Sequence, residues 1–359
     1  PAVSYHVFIP MVENGNGGVL SNPGNPLPTY TPPLPSYTPT STQTATYTLT
    51  AVPTSTAVPT QTAVPTRTPT STQTPAPTQT ARPTQGPTST PAGQDAILLA
   101  AGDIARCGST GQAATAKIIN QYPGAAVAPL GDNAYESGTA DEYATCYDPS
   151  WGVFKARSYP APGNHDFIDP GGAGYYGYFG ATAGTPGEGF YSYDLGSWHI
   201  VVLNSNCSYS GGCSTSSPQG KWLQADLAAH ATQCSLAYFH HPIFSSGEWG
   251  DISYALPLVT IFYNAGGDVI LSGHDHDYER FAPQDPAGNL DPARGMVQFV
   301  AGTGGANHTP WTTVQPNSLV RNNTAFGVLK LTLHAASYDW KFLPVAGSSF
   351  TDSGTASCH

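Results

Sequence analysis

The chain has 359 residues, is 10% charged and carries a formal net charge of −11. Residues 1–93 hold only Arg67, Arg82 and Glu13, a net of +1, which leaves −12 for the remainder. An acidic remainder lacks the broad basic face that long nucleic acids require, so an anionic substrate must be drawn in locally, by metal charge. No run of 18 apolar residues occurs, and the chain starts Pro-Ala without an initiator Met. We therefore expect no transmembrane segment and a processed, secreted product whose signal peptide has gone, extracellular or associated with the cell surface.

Three segments are expected: a strand-like start (1–27), a stalk (28–93) and a catalytic domain (94–359). The stretch "VSYHVFIPMV" near the start is rich in β-branched and aromatic residues. It reads as a strand that either folds back onto its own domain or is donated to another molecule's sheet edge, a route to self-assembly through residues 1–12. The stalk repeats a hexad, "AVPTST" from Ala51, "AVPTQT" from Ala57 and "AVPTRT" from Ala63. Such a tract buries too little apolar surface to offset its ordering entropy and favours extended polyproline II. At about 3.1 Å per residue, roughly 60 residues span on the order of 190 Å. Its Thr, Ser and Pro content is that of an O-glycosylated stalk or of a plain spacer.

From Asp95 the pattern becomes globular. "AILLAA" (96–101) reads as a buried strand, residues 110–121 as a helix and "AAVAPL" (125–130) as a second strand. "RSYPAPGNHD" (157–166) reads as extended. Residues 190–195 and 198–205 form a hairpin pattern about Gly196-Ser197. Ser217-Pro218 opens a helix, "SLAYF" (235–239) is a strand, and 254–266 is helical and stopped by Gly266. Strands then follow in "DVILSGHDH", "GMVQFVAGTGG", "AFGVLKLTLH" and "SYDWKFLPV". Alternating strands and helices followed by strands give an α/β sandwich.

All six cysteines (107, 146, 207, 213, 234 and 358) lie in this part, and none forms a CxxC pair. The even count suits disulfides in an oxidising compartment, with fifteen possible pairings. Proximity favours 207–213. The pairing 107–146 is favoured because both cysteines follow candidate metal loops, and 234–358 remains. Sequons stand at Asn206, Asn307 and Asn322.

Extended segments end in turn at Asp103, Asp132, Asn164, His240 and His274 with His276, with glycine directly before members of the set. Ligand sites in open α/β sheets lie beyond the carboxyl ends of strands. Alternate residues at a strand end point the same way, so His274 and His276 can share a site while Asp275 points off it. Asp275 and Asp277 are then left as supporting or solvent-facing groups.

The blocks "GDIA", "GDNAY", "GNHD", "HHP" and "GHDH", in this order, resemble those of the calcineurin-like metallophosphoesterases. The tyrosine three residues after Asp132 is similar to the purple acid phosphatase branch. The resemblance implies an α/β (α+β) four-layer sandwich, two mixed β-sheets flanked by helices. It also implies two metal ions. Asp132 would bridge them, with Asp103, Tyr135 and His276 on the first and Asn164, His240 and His274 on the second. Ala105 stands where many relatives carry a ligating His. A phenolate from Tyr135 in its stead suits Fe(III), paired with Fe, Zn or Mn.

The resemblance implies hydrolysis of a phosphate-ester substrate, phosphomonoesters first, by a metal-activated hydroxide. His165 is the expected general acid, with Asp166 orienting its ring and His241 as second candidate. One alternative is a phosphodiesterase or nucleotide pyrophosphatase on the same site. An alternative of another class is a structural subunit of an extracellular fibre or surface layer, linked by its first strand.

Overall fold

The computed structural model describes residues 95–231 and 234–359. The strand-like start and the stalk, with the self-assembly and glycans expected there, lie outside the described residues. In chain order the elements are β1 (Ala96–Ala101), β2 (Ala105–Arg106), α1 (Gly111–Ile119), β3 (Ala126–Pro129), β4 (Ala134–Tyr135), α2 (Ala140–Glu142), α3 (Ala173–Phe179), β5 (Tyr191–Leu195), β6 (Trp198–Val202) and α4 (Pro218–Ala229). There follow β7 (Ser235–Tyr238), α5 (Leu256–Asn264), β8 (Val269–Ser272), β9 (Tyr278–Phe281), β10 (Val297–Ala301), β11 (Ser318–Asn322), β12 (Gly327–Leu333), β13 (Ser337–Pro344) and β14 (Ser353–Ser357).

The strands form one sheet in the order β14-β13-β12-β1-β3, a second in the order β11-β9-β10-β8-β7-β6-β5, and a small β2-β4 pair. Both large sheets are mixed. β1 runs parallel to β3 and antiparallel to β12, while β6, β7, β8 and β10 are parallel neighbours with antiparallel strands at either edge.

Period-two alternation distributes the core between layers. Leu98 and Ala100 of β1 join Leu236, Leu271, Phe299 and Leu329 in the cluster between the sheets. Leu99 and Ala101, one residue out of phase, pack with Ile119 of α1 and Trp151 on the outside of the first sheet. Val201 and Ile270 pack against Leu223 of α4 and Phe262 of α5 on the outside of the second. Helices, sheet, sheet and helices make the four layers that the resemblance implied.

Local signals act as read. The Ser217 side chain accepts from Gly220 N and Pro218 opens α4; Gly266, at φ +85°, follows the end of α5. The structure holds disulfides Cys107–Cys146, Cys207–Cys213 and Cys234–Cys358, the three expected pairs. The last closes a separation of 124 residues and ties the chain's end to the start of β7. No described helix is long and apolar enough to cross a membrane.

Five strands escaped the reading, the short β2 and β4 and the longer β9, β11 and β14, and the Gly/Tyr-rich stretch 171–180 contains the helix α3. Gly174 permits that helix: a Cβ there would collide with the Gly138 carbonyl and the backbone of Thr139. Buried Tyr175, Tyr176 and Phe179 supply the packing that overrides glycine's poor helix propensity.

Candidate metal centre

The parallel pairs β1–β3 and β7–β8 end at one rim, one pair from each sheet. Gly102 accepts from Gly304 N, and Gly273 N donates to the His240 carbonyl, so the loops beyond the strands run side by side. His274 N crosses between the sheets to Asp103 Oδ2 at 2.8 Å. Asp103, Asp132 and His274 all have positive φ, at 59°, 50° and 73°. They are three of the four described non-glycine residues in that region, and such conformations cluster where function over-determines the backbone.

Seven donor atoms converge. Tyr135 hydroxyl lies 2.8 Å from Asp103 Oδ1, 3.0 Å from Asp132 Oδ2 and 3.1 Å from His276 Nε2. His276 Nε2 is 3.2 Å from Asp103 Oδ1. His240 Nε2 lies 3.2 Å from Asp132 Oδ2, 3.1 Å from Asn164 Oδ1 and 3.2 Å from His274 Nδ1. Asp132 Oδ2 thus stands between an Asp103–Tyr135–His276 group and an Asn164–His240–His274 group, the division expected for two metals.

Outer contacts aim these atoms. Asp103 Oδ2 takes the His274 N–H and Asp132 Oδ1 takes the His165 N–H at 2.8 Å, leaving one oxygen of each carboxylate toward the centre. The Leu130 carbonyl, 3.0 Å from His240 Nδ1, can only accept, so that nitrogen carries its hydrogen and Nε2 presents a lone pair inward. Asn307 Oδ1 does the same for His276 Nδ1 at 3.1 Å. Such outer partners are the usual setting of metal-binding imidazoles. Lone pairs on Asn164, Asp132 and His240 that face one another at about hydrogen-bond distance need a shared cation or proton. The donor set fits a metal pair.

Two glycines make room for this packing. A Cβ on Gly163 would collide with Asp132 N and Oδ1, and one on Gly131, at φ +92°, would lie 2.6 Å from the His240 ring.

Protons show the same demand for positive charge. Burial favours neutral carboxyls, yet His276 holds Asp103 below its usual range, and His240, then His165, do so for Asp132. Burial opposes a charge on His240, but Asp132 and Asp103 outweigh it and push its pKa up to about 9. Burial and the neighbouring His240 charge drive His274 down to about 3. The Tyr135 phenol is raised well above its ordinary value by burial and by the two aspartates.

His165 stands at the edge, its Nε2 3.9 Å from Asp132 Oδ2 and its ring centroid 4.5 Å from that of Tyr135. Asp166 does not orient this ring as expected. The His165 Nδ1 faces the Glu136 carbonyl at 2.6 Å. Asp166 instead accepts from Gly163 N, Asn133 Nδ2 and the Tyr143 hydroxyl, because buried donors of two loops converge on it. It fastens the 163–166 loop to the 131–135 loop, and burial with the Asp132 charge raises its pKa to about 6. His241 is also buried, 2.8 Å from the Ser205 hydroxyl. Burial, His240 and His274 depress its pKa well below the usual value, so it stays neutral.

The strand-alternation argument for "GHDH" needs correction as well. β8 stops at Ser272, and a turn with His274 at positive φ, rather than a continuing strand, brings both histidines inward. Asp275 and Asp277 are both buried, not solvent-facing. Asp275 holds the next loop, accepting from the Ser245 hydroxyl and, at 2.9 Å, from Trp249 N.

Above the centre lies a cavity of about 300 Å³, rimmed by Arg106, His165, Glu248, Trp249, Asn307 and Thr309. Arg106 and Asn307 went unread in this role; the first directly follows Ala105, and Asn307 was noticed only as a sequon. Asn206 is buried and donates to Pro162 O and Asn204 Oδ1, so its amide is not presented for a glycan.

The calcineurin-like phosphoesterase family matches residues 86–278. The chain is 32% identical over 122 residues to purple acid phosphatase 22 of Arabidopsis thaliana, covering 32% of this chain and 27% of that protein. It is 26% identical over 232 residues to a nucleotide pyrophosphatase/phosphodiesterase of Hordeum vulgare, covering 53% of this chain and 62% of the other. The purple acid phosphatase from yellow lupin (Lupinus luteus) seeds superposes with a TM-score of 0.61 at 19% identity, over 74% of this chain and 54% of that one, a likeness of fold. The chain spans less than two thirds of each of these proteins. It belongs to the calcineurin-like phosphoesterases.

Proposed function

We propose that the chain is a secreted dinuclear-metal phosphoesterase whose first substrates are phosphomonoesters. The observation that carries this reading is the convergence of seven donors on Asp132 Oδ2 and its neighbours beneath an open cavity. Asp103, Tyr135 and His276 would hold one ion, Asn164, His240 and His274 the other, and Asp132 both. The oxygen-rich first group, with its phenol, suits Fe(III), and the nitrogen-rich second group suits Fe, Zn or Mn in the divalent state. When bound, such a pair neutralises a phosphoryl group's charge and lowers the pKa of a coordinated water.

His165 supplies the proton chemistry. Its Nδ1–H is committed to the Glu136 carbonyl, which leaves Nε2 at the cavity to carry a proton to the departing alkoxide. Disulfides support an oxidising, extracellular destination. Linkage of such domains into a fibre or layer through residues 1–12 is a separate proposal. Deleting residues 1–20 should abolish assembly and leave hydrolysis intact; assembly that survives the deletion would sink it.

One observation favours the nucleotide pyrophosphatase or phosphodiesterase reading as runner-up. Trp249 is 59% exposed at the cavity mouth, its ring centroid 5.8 Å from that of His274. An exposed indole held in place from behind suits a flat leaving group such as a nucleobase. A panel of alkyl phosphate, nucleoside monophosphate, aryl diester and dinucleoside pyrophosphate separates the two. Faster turnover of both monoesters supports the first reading, and exclusive turnover of the last two substrates would replace it.

A further inference from the structure

Among the described residues, the cavity above the centre is lined by one arginine and no lysine. That arginine, Arg106, ends the short strand β2, which runs parallel to β4 with Arg106 in register beside Tyr135. Neighbours in register share a sheet face, so the two side chains run together. The Arg106 Cζ stands 5.5 Å from the centroid of the Tyr135 ring. Its backbone is pinned: the carbonyl accepts from Ser109 N at 3.0 Å and Gln112 Nε2 at 3.2 Å, and Cys107 is bonded to Cys146.

The guanidinium is held in place but not used up. Nη2 donates to Glu136 Oε1 at 2.7 Å, the one described acceptor it reaches, although the group carries five N–H donors. Nε is buried without a partner, while the side chain as a whole is 38% exposed. Glu136 also fixes His165, whose Nδ1 lies 2.6 Å from the Glu136 carbonyl. Glu142 steadies this loop by accepting from Ser137 N at 3.1 Å and Thr139 N at 2.9 Å. One residue thus positions both the proposed proton donor and the guanidinium, and both rest against the Tyr135 ring.

Resting on the phosphoesterase reading above, we infer that Arg106 is a specificity-determining residue that receives a second anionic group on the substrate. That group is a carboxylate or phosphate carried by the leaving group, close to the ester oxygen. A metal pair serves the charge of the transferred phosphoryl group. Arg106 is then left for the leaving group, the part that His165 protonates. The planar fork of a guanidinium matches the paired oxygens of either anion. Glu248 stands at the same rim and the surrounding chain is acidic, so the mouth does not gather anions in general. A lone guanidinium beside the proton donor reads one small group instead.

The test uses the metal-loaded full chain with Arg106→Ala, Arg106→Lys and Glu136→Gln. Turnover of 2-phosphoglycolate and of pyrophosphate is compared with that of ethyl phosphate, which lacks the second anion. Wild type should prefer one of the first two in kcat/KM, and the one preferred tells carboxylate from phosphate. Arg106→Ala should cut that preference by about 10- to 100-fold, mainly through KM. Arg106→Lys should restore little of it, because an ammonium lacks the fork. Glu136→Gln should keep it; a loss there as large as in Arg106→Ala would reduce Arg106 to half of a structural ion pair. Calorimetric titration with phosphonoacetate, methylenediphosphonate and ethylphosphonate, whose P–C bonds are not hydrolysed, reads the same contrast without turnover. If no ester is turned over, the phosphoesterase reading falls while the binding contrast still decides the role of Arg106. Equal binding of the three by wild type, or a preference that survives in Arg106→Ala, would overturn the inference.

Discussion

The Tyr135 hydroxyl stands 2.8 Å from Asp103 Oδ1 and also touches Asp132 Oδ2 at 3.0 Å, so one phenol bridges the two carboxylates. Burial and both negative charges oppose its ionisation, and only a cation of high charge reverses that balance. Iron-loaded protein should therefore show a visible phenolate-to-iron band. Tyr135→Phe should lose that band while keeping its circular dichroism. Iron-loaded wild-type protein without the band would remove Tyr135 from the ligand set.

Proton competition at His240 gives metal binding a definite pH dependence. Its pKa of about 9 means that the imidazole carries a proton at neutral pH unless a metal displaces it. Affinity for the ion that Asn164, His240 and His274 would hold should rise about tenfold per pH unit as pH climbs toward 9, then level off. Competition titrations with a chelator between pH 6 and 9 measure the slope. A flat profile would mean that His240 does not ligate.

The general-acid role of His165 predicts a selective loss. His165→Ala should lower kcat on alkyl phosphates by about 10²- to 10⁴-fold and on p-nitrophenyl phosphate far less. Only poor leaving groups need the proton. Equal losses on both would give the proton to another group.

Asp352 connects the two sheets from the segment before β14. It accepts from Arg280 Nε at 2.6 Å and from the Tyr278 hydroxyl at 2.8 Å, both on β9. Burial opposes its charge, yet the Arg280 and Tyr278 hydrogen bonds lower its pKa. A depressed carboxylate adds stability that is complete above its unfolded pKa and fades as pH falls through the folded one. Asp352→Asn should cost about 2 kcal/mol at neutral pH in urea unfolding, less than a fully dry pair. The gap to wild type should close in acid. A gap that widened as pH fell would contradict this sign.

The seven converging side chains were readable because each sits in a short block at the end of a hydrophobic run, as with "GHDH" after "VILS". The supporting groups were not, since Asn307 reaches His276 across 31 positions and Asp166 reaches Asn133 across 33. No local pattern marks such contacts. The role given to Asp166 rested on its being next to His165, yet adjacent residues in a tight turn diverge, one to the cavity and one into the core. β9, β11 and β14 carry few consecutive apolar residues, and pairing with already formed strands places them. The alternation invoked for His274 and His276 failed for a related reason. It assumes a continuing strand, and the backbone turns into positive φ at the first of the two.

Two cations drawn to one carboxylate is the idea from which the enzymatic reading follows, and anomalous diffraction from metal-loaded crystals tests it most directly. Two peaks should flank Asp132, one touching Asp103, Tyr135 and His276 and the other Asn164, His240 and His274. A single peak remote from Asp132, or none among these seven side chains, would contradict it.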